Sequence, residues 1–177
     1  MAELRVAHTS DLDPSTVAAI EALLDEVFAE ELPDHDWEHV FGGLHVLAYD
    51  DGALIGHAAV VQRRLLHGGR ALRTGYVEGV VVRRERHGRG HGAELMDEIE
   101  RIVRGAYTLG ALSSSDMALG FYAARGWPAW RGPTSALTPE GIRRTPNDDG
   151  GIHVLPVDVE LDFDGELTCD WRDGEVW

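Results

Sequence analysis

The sequence predicts an α+β domain: a mixed, mostly antiparallel central sheet flanked by helices. Three observations carry this. Two glycine turns, Asp50-Asp51-Gly52 and His67-Gly68-Gly69, join three consecutive apolar strands. Those connections are too short for crossovers, so the strands should be antiparallel. After Val82 the pattern changes to a glycine-rich turn that opens an amphipathic helix, and strand and helix alternate from there.

Each element follows from a local signal. Asp13 is placed to cap a helix, Pro14 fits its first turn, and Val17, Ile20, Leu24, Val27 and Phe28 recur on one face. A shorter helix is expected from Asp36 to Phe41, stopped by Gly42-Gly43. Strands are expected at Leu44 to Tyr49, Leu54 to Leu65 and Leu72 to Val82. The amphipathic helix covers Ala93 to Arg104, with Gly105 as its stop. A strand from Leu109 to Ser113 and a helix from Asp116 to Arg125, closed by Gly126, come next. A loop containing Pro133, Pro139 and Pro146 leads to a strand from Ile152 to Leu161 and an acidic tail ending at Trp177. Trp171 and Trp177 are expected to anchor that tail by burying their rings.

Length and charge bound the function. The 177 residues suit one domain over 1–177. No stretch is long and apolar enough to span a bilayer, and the opening Met-Ala-Glu-Leu-Arg-Val lacks the layout of a signal peptide. The single cysteine, Cys169, permits no internal disulfide, so the cytoplasm is the expected compartment. A formal charge of −15 argues against a nucleic-acid partner and suits a cationic ligand. No membrane partner is expected either.

The informative segment is Val80-Val81-Val82 followed by Arg83-Arg84-Glu85-Arg86-His87-Gly88-Arg89-Gly90-His91-Gly92-Ala93. A strand feeds a glycine-rich turn into a helix, whose first N–H groups have no partner and favour an anion. A Walker A loop is excluded because no Gly-Lys-Ser/Thr follows. Gly88-x-Gly90-x-x-Ala93 matches the dinucleotide fingerprint on paper. That fingerprint needs an acidic residue at the end of the next strand, where Ser113-Ser114-Ser115 stand. The third candidate is the pyrophosphate loop of the GNAT acetyltransferases, Gln/Arg-x-x-Gly-x-Gly/Ala, which His87 to Gly92 resembles with His87 in place of Gln or Arg. Downstream, Phe121-Tyr122-Ala123-Ala124-Arg125-Gly126-Trp127 is similar to the GNAT pattern whose tyrosine reaches the sulfur of CoA.

His35-Asp36-Trp37-Glu38-His39 spaces two histidines four apart, but Asp36 stands where a zinc protease needs Glu, so no metal is expected. The remaining histidines read as scattered surface or core residues.

A closer resemblance runs along essentially the whole chain. Asp36-Trp37-Glu38-His39, Gly75-Tyr76-Val77-Glu78-Gly79-Val80, Arg104-Gly105-Ala106-Tyr107 and Leu109 through Ser115 carry it. So do Gly132-Pro133-Thr134-Ser135, Asp148-Asp149-Gly150, Cys169-Asp170-Trp171-Arg172 and Val176-Trp177. These stretches resemble the aminoglycoside 2′-N-acetyltransferases of mycobacteria and related bacteria. The resemblance implies a GNAT fold, acetyl-CoA as donor, an aminoglycoside 2′-amine as acceptor, antibiotic resistance as the outcome, and a homodimer. It implies cofactor contacts on the backbone of Val80, Val81, Val82, His87, Gly88, Arg89, Gly90, His91 and Gly92. It implies acceptor contacts at Glu31, Asp36, Glu78, Ser113, Asp148, Glu175 and the terminal carboxylate of Trp177. The family carries Asp where this chain has Glu31 and Glu175, which keeps the charge and lengthens the reach.

The chemistry can be read from the residues. An ammonium must lose a proton before it attacks a thioester, and a nearby carboxylate can take it. Glu78 sits in an apolar strand directly before the loop, where an unpaired carboxylate would be costly, and Gly79 beside it suggests a bulge or a close approach. Backbone N–H groups near Val80 would stabilise the tetrahedral oxyanion, and Tyr122 would donate a proton to the departing thiolate. No Ser, Cys or Lys has the neighbours of an activated nucleophile, so direct transfer is expected. Two other readings stay open: an acetyltransferase for another polyamine or amino sugar, and an acyl-CoA-binding module without catalysis.

Overall fold

The structure, a computed structural model, describes residues 2–28, 36–115 and 118–177; the side chain of Asp36 also lies outside the described residues. In chain order the strands and helices are β1 (Glu3–His8), α1 (Pro14–Phe28), β2 (Leu44–Asp50), β3 (Ala53–His67), β4 (Arg70–Val82), α2 (His91–Ala106), β5 (Leu109–Ser113), α3 (Leu119–Ala124), β6 (Thr134–Thr138), β7 (Gly141–Arg144), β8 (Ile152–Pro156) and β9 (Leu167–Cys169). They form two compact units, one of Met1–Val61 with Val77–Ile102, the other of Gln62–Tyr76 with Val103–Trp177. Strands β3 and β4 each contribute residues to both.

In the first unit β1, β2 and β3 run antiparallel. The β2–β3 turn places Asp51 at φ 48 and Gly52 at φ 77, the left-handed pair that matches the twist of a two-residue hairpin. Asp13 caps α1 as expected: its Oδ1 accepts from the Ser15 and Thr16 N–H groups at 3.0 and 2.9 Å. The Ser15 hydroxyl, with those N–H groups, holds the Asp13 carboxyl well below the usual range. Ile20, Leu23 and Leu24 of α1 pack with Val40, Leu47, Leu54, Ala59 and Val81 into one core, with Trp37 and Phe41 at its margin. The short helix expected here is a 3₁₀ helix over Asp36–Val40, and Phe41 N–H bonds the carbonyl three residues back, on Glu38. Strand β1 was not anticipated. It is an edge strand with only Ala7 buried, so it carries no inward apolar pattern.

In the second unit the strand order is β7-β6-β9-β3-β4-β5-β8. The β4–β5 pair is parallel, as the crossover through α2 requires, and β6–β9 is also parallel; β5–β8, β6–β7 and β3–β9 are antiparallel. Trp127 and Trp130 are fully buried here. Three expectations need correction. The proline-marked loop contains the hairpin β6–β7. The strand expected to reach Leu161 stops at Pro156, where Val157 and Asp158 N–H turn together onto Thr108 O at 3.1 Å. Gly105 does not stop α2, which runs through it to Ala106.

The tail is tied down by β9 and by Arg63, whose Nε donates to Asp170 Oδ1 at 2.7 Å and whose Nη2 donates to Val176 O at 2.7 Å. Trp177 is buried, whereas Trp171 is 48% exposed and is not the anchor it was expected to be. Part of the acidic tail likewise serves internal ties. Asp164 pairs with Arg131 at 2.8 Å, and Glu166 accepts from the Ser135 hydroxyl at 2.6 Å.

The first unit also buries two imidazoles. His45 and His57 are both fully inaccessible, with His45 Nδ1 and His57 Nε2 2.9 Å apart. Loss of hydration pushes His45 down to about 4 and His57 down to about 3. Neighbouring His8 adds to the shift at His45. At His57, the bond to Gly79 O works against it.

Two predictions come from this packing. A Cβ at Gly132 would lie 1.9 Å from Gly165 O, a backbone atom that no rotamer change can move. Gly132→Ala should lose about 3 kcal/mol in urea unfolding; an unchanged midpoint would show that this loop gives way freely. The histidines set the second. Both rings titrate near the ordinary value when unfolded and far below it when folded, so the unfolded chain binds more protons between those limits. Stability should therefore fall as pH drops below the ordinary histidine value, by about 1.4 kcal/mol per pH unit for each ring. Urea midpoints at pH 7 and pH 5 check this, and a variant lacking both rings should lose most of the slope.

Candidate active site

The end of β4 is shaped by Gly79. Its φ of 58 is left-handed, and a Cβ there would meet Val40 Cγ1 at 2.7 Å, Leu24 Cδ2 at 3.2 Å and His57 Cε1 at 3.3 Å. Of the two readings of this glycine, a bulge or a close approach, the contacts bear out the close approach. The kink interrupts the buried run of the strand. Tyr76 and Val77 are buried, Glu78, Gly79 and Val80 are half-buried, and Val81 is buried again. Glu78 is thus a half-buried carboxylate on an otherwise apolar strand.

Beyond β4 the chain makes a 3₁₀ turn over Arg84–Arg86 and enters α2. His87 Nε2 donates to Val82 O at 2.7 Å, so this side chain closes the loop onto the strand. That is a structural use for the residue standing where the GNAT pattern has Gln or Arg. Gly88 and Gly90 take φ values of 73 and 89, and a Cβ on either would meet nothing within 4 Å. Their role is conformational, and the face they present is open. Glu94 N–H is the first in α2 to bond back, to Gly90 O at 3.0 Å, so the N–H groups of His91 and Gly92 point out of the helix start. Such a terminus over a glycine-lined, open face fits a pyrophosphate. Arg83 and Arg86 are engaged with Glu26 and Asp50. Among the described residues no ion pair holds the exposed Arg84 or Arg89.

The second unit holds the other candidates. Tyr122, on α3, is buried, packs edge-on to Phe121 at 5.2 Å and faces His153 at 6.1 Å. Burial pushes its hydroxyl up to about 12, so it stays protonated at any physiological pH. His153 pairs with Leu112 across β8 and β5, one residue before exposed Ser113. Asp148, Glu175 and Trp177 come together. Trp177 Nε1 donates to Thr145 Oγ1 at 2.9 Å, and Thr145 also bonds the Asp148 side chain. Burial raises the Asp148 pKa, and the negative charges of Glu175 and Asp149 raise it further. Arg172 Nη2 donates to Trp177 O at 3.0 Å and fixes the end of the chain. Glu31 lies outside the described residues, as does the side chain of Asp36.

Sequence reasoning missed the buried His45–His57 pair and the tie made by Arg63. A signal was available for the histidines, since each interrupts an apolar strand. Cys169 is a small buried residue: burial pushes its thiol up to about 11, and its Sγ donates to Val176 O at 3.3 Å.

With this geometry in hand, comparison with known proteins is informative. The model of the acetyltransferase (GNAT) family matches residues 10–127. The chain is 54% identical to an aminoglycoside 2′-N-acetyltransferase of Mycolicibacterium fortuitum, in an alignment covering 98% of this chain and 91% of that one. Among solved structures, Escherichia coli ElaA superposes with a TM-score of 0.65 at 19% identity, covering 87% of this chain and 99% of that one. A GNAT family acetyltransferase of Brucella melitensis, solved in complex with acetyl-CoA, superposes with a TM-score of 0.63 at 19% identity, covering 93% of this chain and 94% of that one. The two structures share the fold: a mixed, mostly antiparallel sheet flanked by a few helices. The chain belongs to the GNAT acetyltransferase family, and its likeness over nearly the full length sets it among the aminoglycoside 2′-N-acetyltransferases within that family.

Proposed function

We propose that this protein transfers acetyl from acetyl-CoA to the 2′-amine of an aminoglycoside, as one catalytic domain over residues 1–177. The observation that carries the acceptor is the 54% identity to an enzyme of that activity. The donor is supported by family membership, and its place by the left-handed glycines 88 and 90 at the open start of α2. There the N–H groups of Gly88, Arg89, Gly90, His91 and Gly92 would take the pyrophosphate, while the edge of Val80, Val81 and Val82 would run beside the pantetheine arm.

The chemistry would proceed by direct attack. Glu78, directly or through a water, takes a proton from the 2′-ammonium and frees its lone pair. The nitrogen attacks the thioester carbon, the C–N bond forms, and Val80 N–H receives the charge growing on the oxygen. The C–S bond then breaks, CoA leaves as a thiolate, and the second proton of the acylated nitrogen passes to that thiolate, leaving a neutral amide and CoA thiol. Because Tyr122 is held at about 12, it stabilises this thiolate as a hydrogen-bond donor more readily than it surrenders its proton outright. Asp148 and Glu175, together with Glu31, Asp36 and Ser113, would bind the other ammonium and hydroxyl groups by charge-assisted hydrogen bonds. The terminal carboxylate of Trp177 would join them. The reading includes a homodimer acting in the cytoplasm and a resistance phenotype, on the strength of the resemblance. It also includes no nucleic-acid partner, since the −15 charge opposes one. Among the described residues no helix is long and apolar enough to cross a membrane.

Two measurements test this. CoA release should be rapid with tobramycin, which has a 2′-amine, and at background with amikacin, which has a 2′-hydroxyl; equal rates would refute the regiochemistry. Glu78→Gln should retain acetyl-CoA affinity and lose about 10²-fold in turnover at neutral pH. Full activity in that variant would remove Glu78 as the base.

A further inference from the structure

The reaction as derived leaves the two buried imidazoles unused, yet they end on the catalytic strand. His57 Nδ1 lies 2.8 Å from Gly79 O. A carbonyl can only accept, so His57 must carry its proton on Nδ1 and donate it. The ring is buried and neutral, which leaves a lone pair on Nε2. That lone pair faces His45 Nδ1 at 2.9 Å, so His45 must carry its own proton on Nδ1. His45 Nε2 is then an acceptor as well, and the Thr9 hydroxyl, 2.8 Å away, donates to it. Thr9 Oγ1 in turn accepts from Gly42 N–H at 2.9 Å. The other acceptor near this hydroxyl, Gly43 O, is farther at 3.3 Å. One directed chain therefore runs from Gly42 through Thr9, His45 and His57 to Gly79, and every donor in it has an acceptor.

The end point gives this chain its meaning. Gly79 C=O and Val80 N–H belong to one planar trans peptide and point in opposite directions. Holding the carbonyl inward, onto His57, aims the Val80 N–H outward. The left-handed φ of 58 at Gly79 frees this peptide from the ordinary strand geometry, so something else must fix its rotation. A proton wire is a poor alternative, because the chain ends on a carbonyl that cannot pass a proton on.

We propose that His57, oriented by His45 and Thr9, is a positioning residue for acetyl transfer, locking the Gly79–Val80 peptide so that Val80 N–H faces the thioester oxygen and Glu78 holds its place beside it. This rests on the reading of Val80 N–H and Glu78 given above, and it adds three residues that the mechanism did not require. The device works through tautomers. Both rings must take the Nδ1–H form, which is the minor one for free histidine, and the sheet selects it through the Gly79 carbonyl.

The test combines a spectroscopic and a kinetic readout on the full chain. Nitrogen-15 NMR of the imidazoles should show His45 and His57 both neutral and protonated on Nδ1. With acetyl-CoA and tobramycin, His57→Phe should lower kcat about tenfold or more, less than the loss of a whole oxyanion donor. KM for either substrate should move little. His57→Asn, whose amide N–H stands near the Nδ1 position, should recover most of that kcat. An Nε2–H tautomer on either ring would overturn the proposal, as would native kcat in a folded His57→Phe. A folded His57→Asn with kcat as low as expected for the phenylalanine would also overturn it, and that comparison decides the kinetics if His57→Phe does not fold. The underlying reading fails differently. Full turnover by Glu78→Gln, or no transfer to tobramycin by the native chain, would count against the base or the acceptor, while the tautomers still decide the positioning chain.

Discussion

One backbone conformation governs the candidate site: the left-handed turn of Gly79 within β4. A strand that continued without it would keep alternating its side chains and pair all its amides. The kink instead leaves Glu78 and Val80 half-buried at the end of an apolar strand. Only glycine fits, because the space a Cβ would occupy is filled by Val40, Leu24 and His57. The core of the first unit is packed against this point. The 3₁₀ turn that supplies Val40 and the helix that supplies Leu24 therefore bear on the geometry of the strand as well as on stability.

Charge is arranged locally within a strongly acidic chain. The segment between β4 and α2 concentrates arginines, and two of them are already engaged with carboxylates on the body of the first unit. Those two hold the loop in place; Arg84 and Arg89 leave positive charge at the surface beside the helix start. The second unit does the reverse. Burial and the nearby charges of Glu175 and Asp149 raise the affinity of Asp148 for its proton, and a carboxylate so placed gains most from a cationic ligand. Asp149 is itself paired with Arg144 at 2.7 Å. On the proposed reading, anion recognition would rest on backbone N–H groups and cation recognition on side-chain carboxylates.

Much of this was legible in the sequence because it rests on local rules. Asp13 capping α1, the Asp51-Gly52 hairpin, and Gly88 and Gly90 before α2 each follow from a short-range preference that the fold did not override. What escaped was set by long-range pairing. Strands β6, β7 and β9 are short, and β6 and β7 lie among prolines in a stretch whose apolar residues Leu137 and Ile142 face outward. No periodic signal survives there. Trp171 and Trp177 look alike in sequence, and only the Thr145 hydroxyl and the Arg63 tie decide that Trp177 is the one buried. His45 and His57 read as isolated residues because their partnership crosses a hairpin. Their chemical meaning appears only once Gly79 O is seen at the end of the chain.

The central claim is that the end of β4 and the start of α2 form the acetyl-CoA cradle, organised by the Gly79 turn. The most direct measurement is amide hydrogen exchange with and without CoA, read residue by residue. The account predicts new protection concentrated at Val80 to Val82 and at Gly88 to Gly92, with the amides of β6 and β7 unaffected. CoA binding that leaves residues 80–92 unprotected and protects a different part of the chain would contradict it.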